Sequence, residues 1–224
     1  MYQHNTVAGA FILVNDENTN KVLAAVKTEI GDAAWKKGYE AQQAKMVREH
    51  LKAAKADFRF KFSGKLVGVS TKETKDKEGN TYRKIRVDLA DERGSVTILS
   101  LDVGTEFGES LVPKLGSAVM QLGLGAEISL SAFPVEEERK DGRKFTNFKA
   151  SVKDAGGNEV KATKPHFKIA SDKVRTAVEA LKAAGIKDPK TLNAARNAAK
   201  EEYFWDLAQK VAEVAEVRSA AAAA

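Results

Sequence analysis

A chain of 224 residues with 43% hydrophobic side chains has enough apolar material for one or two packed domains, which excludes wholesale disorder and a miniature scaffold held by cross-links. With no cysteine there are no disulfides and no thiolate metal sites, which fits a reducing compartment: the cytoplasm, or the host cytoplasm for a viral protein. The net charge of +6 is evenly spread, with 8 basic and 6 acidic residues over 1–56, 17 and 15 over 57–153, and 12 and 10 over 154–224, so an anionic partner must be argued from where the cations point.

Residues 7–14 form the longest apolar run, too short for a membrane span and preceded by no basic stretch. Polar turn residues follow over 15–20, then a helix expected to end at Gly31. A second helix is expected from Asp32 to about Ala56, with Trp35, Tyr39, Met46, Val47, Leu51 and Ala54 at helical spacing, packed on the next domain. From Phe58 the period becomes two. Phe58, Phe60 and Phe62 alternate with Arg59, Lys61 and Ser63, and Gly64 and Gly68 within the same strand suit a bend or bulge.

A polar loop over 72–80 leads to a second alternating strand at 81–89, where Arg83, Ile85, Val87 and Leu89 oppose Tyr82, Lys84, Arg86 and Asp88. A third strand covers 95–101. Residues 104–122 are too irregular for a strand and allow a short helical stretch before Pro113, after which strands are expected at 126–133 and 145–152 around a charged loop. Three strands, a helical connection and two strands give an α+β chain built on a five-stranded OB-type β-barrel over 57–153, flanked by N-terminal helices and a C-terminal helical hairpin. Residues 154–170 read as a linker. The hairpin spans 171–218, with Ser171 and Asp188 as N-caps and Pro189 at the first helical position, and alanines at 219–224 form a tail expected to fray.

Catalytic and metal motifs are not found. His4, His50 and His166 lie in separate segments, Gly64-Lys65 lacks the rest of a phosphate loop, and Gly123-Leu124-Gly125 lacks the third glycine of a dinucleotide fingerprint. No enzyme, cofactor or metal site is expected. Strand alternation instead gathers cations and aromatics on one barrel face: Arg59, Lys61 and Lys65, then Tyr82, Lys84 and Arg86, then Phe133, Phe145 and Lys149. Two loops extend it, with Lys72, Lys75 and Lys77 in one and Arg139, Lys140, Arg143 and Lys144 in the other. Unpaired bases stack on aromatic faces while Lys and Arg neutralise phosphates, so this mixture suits a single strand. The same residues also fit a solvated strand face, and Phe133 and Phe145 also fit packing under the helices. Acidic neighbours such as Glu73, Asp76, Glu78 and Glu136 to Glu138 offset part of the loop charge.

The strand order over 58–152 resembles the single-stranded DNA-binding proteins of bacteriophages, which carry one OB-fold with terminal extensions. The resemblance implies a protein that coats and protects single-stranded DNA in replication or recombination, largely without sequence preference, and recruits replication or recombination proteins. Many such proteins end in a flexible acidic tail, whereas this chain ends in Glu213, Glu216 and Arg218 followed by alanines, which leaves recruitment or self-association to the hairpin. The alternative reading is a structural or assembly protein whose barrel and helices make protein contacts.

Overall fold

The structure is a computed structural model that describes residues 1–76, 78–138, 142 and 144–223. The chain turns ahead of β2, with Gly9 at φ 60°, so that β1 (Tyr2–Asn5), which precedes the apolar run, pairs as a hairpin with β2 (Ala10–Leu13), which lies within it. Phe11 enters the main core, while Ala10 and Ile12 face a second cluster containing Val26, Val47 and Leu51. Those last three come from α1 (Glu17–Ile30) and from the helices after it, so this helical layer packs on the N-terminal hairpin. Asp16 caps α1 by accepting from the Thr19 N–H at 2.8 Å, and Gly31 ends it as expected. The single helix expected over 32–56 is two, α2 (Asp32–Lys37) and α3 (Ala41–Ala53). Gly38, at φ 95°, ends the first, and the Glu40 carboxylate opens the second by accepting from the Gln42 and Gln43 N–H groups.

The five alternating segments all form strands: β3 (Phe58–Arg59) with β4 (Lys61–Lys75), then β5 (Thr81–Ala90), β6 (Val96–Asp102), β7 (Glu127–Glu138) and β8 (Lys144–Asp154). They do not close into the expected five-stranded OB-type barrel. They belong to one eight-stranded mixed sheet of order β3-β2-β1-β6-β5-β4-β7-β8, antiparallel except where β1 runs parallel to β6. The edge of β6 is taken by β1 through Tyr2 opposite Leu99. The edge of β8 is taken by a helix, α4 (Glu106–Gln121): the Ser110 hydroxyl oxygen accepts from the Ala150 N–H at 2.7 Å, and the Lys114 ammonium donates to the Ala150 carbonyl at 2.6 Å. Each edge is thus engaged in part, and β6 and β8 are not paired with each other.

The sheet is nonetheless strongly curled. β3 stands at one end of the order and β4 is sixth, yet only Phe60 separates them in the chain. Five strand steps in a flat sheet would span about 24 Å, whereas two residues reach about 7 Å at most. The break also turns Phe60 outward, 54% exposed, although alternation had placed it beside buried Phe62.

The inner face holds Phe62, Leu66, Ile85, Val87, Leu99, Leu101, Ile128, Leu130 and Phe148, and α4 packs into it through Phe107, Leu111 and Leu115. This helix passes through Pro113, which had been read as its end. Gly108 permits the close approach of its first turn, since a Cβ there would lie 1.9 Å from the Asp102 carbonyl oxygen. The C-terminal hairpin consists of α5 (His166–Ala183), which begins five residues before the expected Ser171 cap, and α6 (Pro189–Ala223). Asp188 caps α6 as read from sequence, accepting from the Thr191 N–H at 2.8 Å. The helix continues through the alanine run, and Phe204, Trp205, Ala208 and Val211 join the main core.

Candidate nucleic-acid interface

The face of the sheet opposite the core is set by register and by one irregularity. Before residue 67, even-numbered residues of β4 point inward, as Phe62 and Leu66 do; a bulge between the Leu66 and Gly68 pairings inserts one residue, and beyond it Val69 is the inward one. A one-residue shift exchanges the faces of every later side chain. Lys72 therefore comes to the same outer face as Lys61 and Lys65, whereas Lys75, in phase with Val69, falls on the opposite face.

Across that face the strands line up in rows. Ser70, Arg86 and Ser100 stand side by side on β4, β5 and β6, followed by Lys72, Lys84 and Asp102, with Thr74 beside Tyr82. On the other half of β4, Lys61 lies beside Ser131 and Ser151, Ser63 beside Ser129 and Lys153, and Lys65 beside Glu127. Hydroxyls and cations dominate. Asp88, opposite Gly68 and Ile98, joins Asp102 and Glu127 as a carboxylate of this face; burial raises its pKa against the opposing pull of Arg86.

The predicted residues separate into groups. Lys61, Lys65, Lys72 and Lys75 are exposed and form no ion pair among the described residues. Tyr82 is 42% exposed, with its hydroxyl donating to Asp76 at 3.0 Å and the Lys84 ammonium 5.4 Å from its ring centre, so the ring is held at a fixed angle. The bond to Asp76 also raises the Tyr82 pKa. Arg86 is half-buried, and its Nε is enclosed without a hydrogen-bond partner among the described residues. Phe133 is exposed on the outer face of β7, opposite Lys149.

The others are occupied or lie elsewhere. Lys84 is nearly buried and bound to Asp102 at 2.6 Å. Arg59 pairs with Asp57 at 3.3 Å and lies over the rings of Tyr2 and Phe62. Lys144 pairs with Glu136 at 2.9 Å, Lys149 with Glu106 at 2.5 Å, and Phe145 is half-buried. Lys77, Arg139, Lys140 and Arg143 fall outside the described residues.

Lys153 was missed. It continues the β8 alternation one step beyond the expected strand end, is exposed, and forms no ion pair among the described residues. Asp102, the counter-ion of Lys84, was also missed, although extending the β6 alternation by one residue places it there. Comparison with protein-family models, with curated proteins and with solved structures finds no match to this chain.

Proposed function

We propose that the protein binds single-stranded DNA along the outer face of β4, β5 and β6 and the adjoining part of β7, without catalysis, and so covers exposed strands in replication or recombination. The observation that carries this reading is the convergence of Lys61, Lys65 and Lys72, all free of carboxylate partners among the described residues, with the fixed and half-exposed ring of Tyr82. Free ammonium groups neutralise phosphates, and an aromatic ring held at a set angle offers a stacking surface to a base of any kind. The half-buried Arg86 adds a positive charge in the same rows. The exposed Ser63 and Ser70 between these groups leave room for a backbone to lie close to the sheet.

The test is fluorescence anisotropy of a labelled oligo-dT and of a matching duplex at two salt concentrations. Tight, salt-sensitive binding of the single strand with weak binding of the duplex is expected. No binding of either at low salt would overturn the proposal and leave the sheet as a surface for protein contacts.

A further inference from the structure

The strand β4 is paired on both sides only along its first part. Its partner β7 ends at Lys65 opposite Glu127, with the Leu66 N–H and C=O still bonded to Ala126 and Gly125. From residue 67 to residue 75 one side is paired with β5, while the other side has no strand beside it among the described residues. Beyond that free side lies a cleft of about 550 Å³, bounded across from the strand by Gln209, Ala212, Glu213, Ala215, Glu216 and Ser219 of α6.

Five consecutive β4 residues, Val67 to Thr71, line this cleft. Side chains of neighbouring strand residues point to opposite faces, so five in succession can border one space only at the strand's edge, where their backbone groups are presented. The opposite wall carries the small side chains of Ala212 and Ala215, the latter buried against the core. It is also acidic: Glu213 and Glu216 are exposed and form no ion pair among the described residues.

We propose that this cleft is a strand-addition site for an extended, basic peptide segment of a partner protein. The segment pairs its main chain with the free edge of β4 over residues 67–71 and sets Lys or Arg side chains against Glu213 and Glu216. Backbone pairing supplies affinity in such an arrangement and the side-chain pockets supply selectivity. The two carboxylates disfavour a nucleic-acid strand in the same place, so the site is separate from the outer-face lysines.

The test uses the full chain and a fluorescein-labelled peptide, Lys-Val-Arg-Val-Lys-Val, beside its glutamate counterpart Glu-Val-Glu-Val-Glu-Val and a version of the basic peptide N-methylated at alternate residues. The basic peptide alone is expected to bind, and to slow hydrogen exchange at amides within 67–71. The double variant Glu213→Lys/Glu216→Lys, with both changes on the exposed side of α6, is expected to weaken it about three- to tenfold while leaving helicity unchanged. Equal binding of all three peptides, unchanged exchange at 67–71, or displacement of the peptide by oligo-dT would overturn the proposal. So would a concentration-dependent dimer dispersed by the peptide, which would identify a second copy of the chain as the occupant.

Discussion

At the scale of single residues, two side chains of the same kind on one face take different roles. Lys72 and Lys84 are neighbours across the β4–β5 pairing, but Lys72 is free in solvent and Lys84 is bound to Asp102 at 2.6 Å. Replacing Lys72 by alanine is expected to weaken single-strand binding with little change in thermal midpoint. Tyr82→Ala removes a ring on which a base would stack and should cost about 1–3 kcal/mol of affinity; titration with oligo-dT reads this directly, and unchanged affinity would remove Tyr82 from the interface. A third residue bears on stability alone. His4 lies among Phe11, Phe107 and Phe148, with ring centres 4.7–5.5 Å away, and its Nε2 has no partner among the described residues. Burial pushes its pKa down to about 4. The fold therefore holds a neutral ring, and an unfolded chain takes up a proton that the fold refuses once pH drops below about 6.5. Stability from this group is present above that pH and declines between about 6.5 and 4, by about 3 kcal/mol. His4→Phe should flatten that part of a plot of thermal midpoint against pH. Alternation showed that Lys84 faces outward, but the expected third strand stopped at residue 101, one short of Asp102, so its counter-ion was not seen. His4 carried no sequence signal, since its surroundings come from three separate elements.

At the scale of elements, the α4–β8 contact decides the architecture. A strand edge inside a protein must satisfy its backbone groups, and here Ser110 and Lys114 do so for Ala150. Ser110→Ala leaves the buried Ala150 N–H without an acceptor, a loss of about 1–3 kcal/mol, which urea unfolding would register as a lower midpoint at constant slope. Strands β4 to β8 were legible because their alternation is local. The N-terminal hairpin was not, because β1 is a short, largely polar segment ahead of the apolar run and β2 lies in a run with no alternation to show a strand. Helix α4 was shortened in the reading by Pro113, whose usual effect on a helix is outweighed by the apolar contacts of Phe107, Leu111 and Leu115. The bulge after Leu66 was anticipated from Gly64 and Gly68 as a bend; its effect on Lys72 requires the register, which only the paired strand supplies.

At the scale of the whole molecule, an even net charge does not prevent a local field, since ion pairing removes some cations from play and leaves others. Lys61, Lys65 and Lys72 remain on the outer face. With about three phosphates neutralised on a single strand, the logarithm of the association constant should fall with the logarithm of salt concentration at a slope of roughly −2. Removing Lys65 and Lys72 together should reduce that slope by roughly 1.4; an unchanged slope would place the phosphate contacts elsewhere. The curled sheet also orders events during synthesis. β1 is made before the other strands of its sheet, yet it joins β6, paired through Tyr2 and Leu99, only after nearly a hundred further residues have emerged. Until then the N-terminal hairpin has no sheet to complete and the edge of β6 has no cover. A chain cut short at its N-terminus would keep that edge open permanently, and its expected fate is sheet-to-sheet aggregation.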